Sequence, residues 1–87
     1  MGSYSLCFNA SVKKELRQIS KSFLSRIFEK IYSLQEDPRP FGVQLMRGVE
    51  RYYRIRQSDY RIIYEIDDAS RVVTIVAVGH RREVYDV

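Results

Sequence analysis

The chain is poor in the residues from which most active centres are assembled. Its 87 residues hold one histidine, one cysteine, two prolines, four glycines and no tryptophan. A lone His80 cannot build a metal centre, and no HxxxH or HExxH spacing occurs. Four scattered glycines make no glycine-rich phosphate loop. The single Cys7 excludes an intrachain disulfide, which agrees with a reducing, cytoplasmic setting. Cys7 stands in an apolar run and reads as a small buried core residue, not a nucleophile. No apolar stretch approaches the roughly 18 residues of a transmembrane helix, and no signal peptide is visible. The acidic pairs Glu36-Asp37 and Asp67-Asp68 fall at a helix end and in a tight turn, where they read as solvated residues and not as magnesium ligands. The expectation is a protein with no metal, no cofactor and no membrane association.

What the chain does have is arginine, unevenly placed. Fifteen Lys and Arg against eleven Asp and Glu give a net charge of +4. That moderate excess suits a polyanionic partner, and equally suits simple solubility. Every lysine lies at or before Lys30, whereas all eight basic residues from Arg47 onward are arginine. Lysine serves solvated helix faces; the planar fork of arginine matches phosphate. A hydrophobic share of 45% with 30% charged residues fits one soluble globular domain over residues 1–87, with one modest core.

The order of elements follows from periodicity. Residues 4–8 read as a short strand, and Asn9 as a helix N-cap whose side chain accepts an orphan N–H. Val12, Leu16 and Ile19 form a helical stripe. A break falls at residues 20–22. Phe23, Leu24, Ile27, Phe28, Ile31 and Leu34 then mark a second amphipathic helix, ended by Asp37-Pro38-Arg39-Pro40. Residues 41–46 are a connection or a short strand. Residues 52–57 and 60–66 are strands, and the β-branched run 72–78 is a central strand covered on both faces and ended by Gly79. Residues 80–87 form a polar tail. The fold class is α+β: an antiparallel β-sheet of about four strands with an N-terminal helical hairpin on one face.

The stretch from Tyr53 to Tyr64 carries the most information. A turn at Ser58-Asp59 pairs Gln57 with Tyr60, Arg56 with Arg61, Ile55 with Ile62 and Tyr53 with Tyr64. The isoleucines and tyrosines make a core face; Arg54, Arg56 and Arg61 gather on the other. Like charges directly opposite on a sheet are destabilising. A chain that builds such a cluster has a use for it, and an anionic ligand is that use.

His80, Arg81 and Tyr85, at the end of the last strand, are placed to close over the arginine face. The result is a shallow cationic site with an imidazole and an aromatic hydroxyl. Such a site holds phosphates, stacks bases and stabilises a phosphorane-like transition state. RNA needs no metal for cleavage, because its 2′-hydroxyl is the nucleophile. Plainer roles are open to the same residues. The three arginines would also protect a solvated face, with Asp59 or Glu65 as partners. Arg81 and Arg82 would make a basic tail, Tyr85 a packing residue and His80 a strand cap.

Four ordered segments, Leu45-Met46-Arg47-Gly48, Tyr53-Arg54-Ile55-Arg56, Asp59-Tyr60-Arg61-Ile62-Ile63-Tyr64-Glu65-Ile66 and Val78-Gly79-His80-Arg81-Arg82-Glu83-Val84-Tyr85, together resemble the RelE toxins of the RelE/ParE toxin–antitoxin superfamily. The likeness implies a RelE-like fold and a small endoribonuclease that enters the ribosomal A site and cuts the mRNA there. It implies a cognate antitoxin protein that holds the enzyme inactive, and a toxin–antitoxin complex that binds operator DNA through the antitoxin. By the same likeness Arg54 and Arg56 hold the substrate backbone; Arg82, in the basic tail, is read as a further substrate-binding residue. Arg61 stabilises phosphorane charge, and Arg81 and Tyr85 act as acid and base or stack on bases. Arginine replaces the lysines of the best-known pattern on the second strand, and arginine stays protonated. Proton removal then falls to Tyr85 or His80.

The sequence reading is therefore a metal-independent, ribosome-dependent mRNA interferase. A ParE-like inhibitor of DNA gyrase is the alternative within the superfamily, and a non-catalytic module that binds RNA or antitoxin is the alternative outside catalysis.

Overall fold

A computed structural model of the chain describes residues 3–46 and 51–80. In chain order the elements are β1 (Ser5–Phe8), α1 (Ala10–Arg17), α2 (Lys21–Ser33), β2 (Gln44–Leu45), β3 (Tyr52–Gln57), β4 (Tyr60–Asp67) and β5 (Val72–His80). The strands form one sheet in the order β1-β5-β4-β3-β2. From β2 to β5 neighbours run antiparallel, as hairpin-joined strands must. β1 instead lies parallel to β5, from Ser5↔Val72 to Phe8↔Ile75. The sheet is thus five-stranded and mixed, where the sequence pattern led to about four antiparallel strands. The reason is connectivity: β1 runs into a helix and not a hairpin, so no turn dictates its direction.

The helical stripes drive the packing. Val12, Leu16 and Ile19 from the first stripe and Ile27, Ile31 and Leu34 from the second are all buried. They meet Tyr53, Ile55, Ile62, Tyr64, Val73, Ile75 and Val78 in one core cluster. Each such side chain contributes about 1.5–3 kcal/mol by leaving water. The break between the helices spans residues 18–20, earlier than the pattern suggested, with Ser20 as the N-cap of α2. No helix is long and apolar enough to cross a membrane among the described residues.

Three local expectations are corrected. Asn9 occupies the N-cap position of α1, but its side chain makes no capping bond. Its backbone is already placed by the sheet, its N–H donating to the Ile75 carbonyl at 3.0 Å while its own carbonyl accepts from Val12 at 3.0 Å. Cys7 is exposed, not buried. β1 is an edge strand with period two, so the half-buried Leu6 and Phe8 turn to the helices and Cys7 turns away. Gly79 does not end β5, which continues to His80.

The end of the sheet away from the β3–β4 turn is clasped. Arg39 sets its fork on Asp68, Nη1 to Oδ1 at 3.2 Å and Nη2 to Oδ2 at 2.9 Å. Its Nε donates to the Tyr53 hydroxyl at 3.2 Å, and its guanidinium lies over the Tyr53 ring. The Tyr4 hydroxyl donates to Asp68 Oδ1 at 2.7 Å. Arg39 first, and Tyr4 after it, hold the Asp68 carboxyl below the usual carboxylate range. The buried Tyr64 hydroxyl donates to the Pro38 carbonyl at 2.7 Å, and burial pushes its pKa up. The loop after α2, the start of the chain and the β4–β5 turn are thereby fixed, which leaves the opposite end of the sheet for the arginines.

Candidate nucleic-acid interface

The β3–β4 hairpin has the register that its alternation predicts. Tyr53 faces Tyr64, Ile55 faces Ile62, Arg56 faces Arg61 and Gln57 faces Tyr60. The loop is Ser58-Asp59; Ser58 takes φ 58°, the first-position geometry of a type II′ turn, which twists with the strands it joins. The two tyrosines stack with centroids 5.8 Å apart on the helix face.

On the other face the register lays out two rows. One runs Gln44, Arg54, Ile63, Ala77, and the next runs Arg56, Arg61, Gly79. Gly42, Gln44, Arg54, Arg56 and Arg61 line an open hollow of about 130 Å³. Three of these five are cationic, and the lining includes no carboxylate. Gly42 has φ 93°, a backbone conformation that glycine adopts without strain, and so lets the loop turn into β2. An Arg54 Nη2 hydrogen donates to Gln44 Oε1, a neutral acceptor that orients the guanidinium without cancelling its charge. Ile63 is 1% exposed although it faces away from the helices. In the register it lies between Arg54 and Ala77, an apolar position within the row that carries Arg54.

Arg54, Arg56 and Arg61 are therefore brought together. His80 is not brought to them. Because β5 continues through Gly79, alternation gives Gly79 to the arginine face and His80 to the helix face. There the imidazole meets the Tyr60 ring edge-on at 5.6 Å, and Tyr60 in turn meets Phe23 at 5.5 Å. A second hollow, of about 160 Å³, lies beside it, lined by Glu15, Gln18, Ile19, Tyr60, Val78, Gly79 and His80. Arg81, Arg82 and Tyr85 lie outside the described residues.

Sequence reasoning missed Gln44, Gly42 and Ile63. Gln44 joins the site only through its pairing with Arg54 across a two-residue strand. Such a strand is too short for any periodicity. Ile63 was legible as the apolar residue out of phase with Ile62 and Tyr64.

The face can hold two or three phosphate charges side by side and can stabilise further negative charge that develops there. Residues 4–85 match the family described as ParE toxin of type II toxin-antitoxin system, parDE. The mRNA interferase toxin RelE of Escherichia coli (strain K12) is 32% identical, over 95% of this chain and 90% of that protein. Toxin RelG of Mycobacterium tuberculosis is 28% identical, over 94% of this chain and 95% of that one. The archaeal RelE of a RelE-RelB complex from Pyrococcus horikoshii superposes with a TM-score of 0.80 at 28% identity, covering 91% of this chain and 96% of that one. With residues 4–85 matched by the family and a relative 32% identical over 95% of its length, the chain belongs to the RelE toxins of the type II toxin–antitoxin family.

Proposed function

We propose that this toxin is a metal-independent endoribonuclease that cuts mRNA in the ribosomal A site and so stops translation. The observation that carries the reading is the hollow of Arg54, Arg56 and Arg61, held on a rigid hairpin at the cost of opposing like charges. A relative 32% identical is named an mRNA interferase, which supports the same chemistry here.

Arg54 and Arg56 bind the phosphates flanking the cut, with Arg82 adding to them. The substrate's 2′-oxygen attacks the adjacent phosphorus, and its proton passes to a base. Arg61 stabilises the charge on the phosphorane, and the 5′-oxygen leaves with a proton from an acid. The products are a 2′,3′-cyclic phosphate and a 5′-hydroxyl. Arginine cannot serve as the base at neutral pH. His80 stands on the helix face, so the base role goes to Tyr85 and the acid role to Arg81, as the family resemblance implies. No step requires a metal.

The partner that restrains it is a cognate antitoxin protein, a reading supported by the RelE-RelB complex of the archaeal relative. Through that antitoxin the complex binds operator DNA. The site of action is the cytoplasm, where ribosomes are.

The test is primer extension on ribosomes paused at a defined A-site codon, with wild type, Arg61→Ala and naked mRNA side by side. A new 5′ end inside that codon, only with ribosomes and only with wild type, is the expected result. Cleavage by Arg61→Ala at the wild-type rate would remove the central assignment. Absence of any cut would move the reading to gyrase inhibition, and a supercoiling assay would follow.

A further inference from the structure

We propose that Glu15, on α1, is a positioning residue for the arginine site, acting through the backbone of β5. The inference rests on the reading of that site as the place of RNA cleavage.

β1 covers β5 only from Val72 to Ile75. Beyond Ile75, β5 runs five residues further, to His80, with β4 as its only strand neighbour among the described residues. The same point carries an irregularity: Ile63 pairs with Ala77 but Tyr64 pairs with Ile75, so Val76 is the extra residue of a bulge. A bulged strand end with one open edge is where a sheet loses its geometry first. Yet this end must be held well, because Gly79 stands directly across from Arg61. Gly79 is buried and has no side chain, so only the backbone of β5 stands beside Arg61 at that position.

Glu15 takes the place of the missing strand. The Val78 N–H donates to Glu15 Oε1 at 2.8 Å in a part-buried setting. A backbone N–H on a carboxylate is a charge-assisted bond, shorter and stronger than a neutral one. The helix that carries the carboxylate is itself anchored, since Val12, Leu16 and Ile19 on either side of Glu15 are buried in the core. The bond therefore ties the residue immediately before Gly79 to the rigid body of the protein. It acts from the sheet edge opposite β2, so the arginine face is framed by Gln44 on one side and by this tether on the other.

Three variants test this. Glu15→Gln keeps an acceptor oxygen at the same reach. Glu15→Asp keeps the charge but withdraws the oxygen by one methylene, and Glu15→Ala removes it. The readouts are hydrogen exchange at the Val78 amide, thermal unfolding, and the rate constant and KM for cleavage on paused ribosomes. The expected result for the Gln variant is a cleavage rate close to wild type, with Val78 protection reduced but retained. The Asp and Ala variants are expected to lose Val78 protection and to slow by about ten- to a hundredfold, with KM unchanged because Arg54 and Arg56 are untouched. The Asp variant decides the matter if the Ala variant does not fold. A Gln variant as slow as Ala, or an Asp variant that cuts at the wild-type rate, overturns the inference. So does a loss that appears only in KM. Wild-type protein that cuts nothing overturns the nuclease reading and this inference with it; wild type and Asp cutting equally overturns the inference alone.

Discussion

Arg56 and Arg61 stand directly opposite each other on adjacent strands, with Arg54 two residues along on the same face. The other side of the same hairpin carries the pairs Ile55–Ile62 and Tyr53–Tyr64, which hold the register from within the core. Burial of one face thus sets Arg56 and Arg61 at directly paired positions on the other, and the repulsion is borne by packing in the core.

That separation of roles predicts the effect of neutralising one arginine. Arg56→Gln is expected to unfold in urea at the wild-type midpoint or slightly above it, by a few tenths of a kcal/mol, since an exposed like-charge contact is relieved. RNA affinity is expected to fall, and the slope of log affinity against log salt to decrease by about one. A variant that is clearly less stable, or one with an unchanged salt slope, would contradict the assignment.

Tyr85→Phe isolates a hydroxyl. The ring stays and stacking persists, so loss of activity reports proton transfer. With Tyr85 as the base, the single-turnover rate on ribosomes is expected to drop by about 10²–10⁴-fold. A rate that holds would leave Tyr85 with stacking alone.

Tyr64→Phe tests the clasp at the far end. The hydroxyl is buried and donates to the Pro38 carbonyl, so its removal leaves a carbonyl unsatisfied next to the core. The expected cost is about 1–3 kcal/mol of unfolding free energy, with cleavage per folded molecule unchanged. Equilibrium denaturation beside an activity assay separates the two.

The Asp68 carboxyl gives the clasp a pH dependence. Its pKa in the folded protein is lowered, chiefly by Arg39 and then by Tyr4. A lowered folded pKa means that ionised Asp68 favours the folded state. This contribution is complete above the ordinary aspartate pKa of about 4 and is lost as pH falls through the lower folded value. Melting curves of wild type and Asp68→Asn are therefore expected to differ near neutrality and to converge on acidification. A gap that widens in acid would reverse the sign and refute the argument.

The hairpin shows what one stretch of sequence can determine alone. Strict alternation on both sides of a two-residue turn leaves a single register that buries one face, because a slip of one residue would turn every side chain over. The two helices were legible for a similar reason: their stripes recur within a few residues, so each element carries its own evidence. Arg54, Arg56 and Arg61 could be grouped from such local rules, without knowledge of any distant contact.

Other features depended on pairings between remote segments. β1 and β5 meet parallel across most of the chain length, which no local signal encodes, and that meeting exposes Cys7 and replaces the side-chain cap of Asn9 with sheet backbone. Gln44 enters the site through a two-residue strand whose only specification is its partner. Glu15, a polar residue outside a helical stripe, gains its role because β1 ends at Phe8 and leaves Val78 uncovered. The position of His80 turned on one further strand residue, Gly79, whose inclusion sends the imidazole to the helices. Sequence by itself determined the elements, the arginine face and the family resemblance, since these rest on periodicities shorter than an element. Only tertiary structure decided which edges are covered and which side a terminal residue faces, since those follow from where distant strands start and stop.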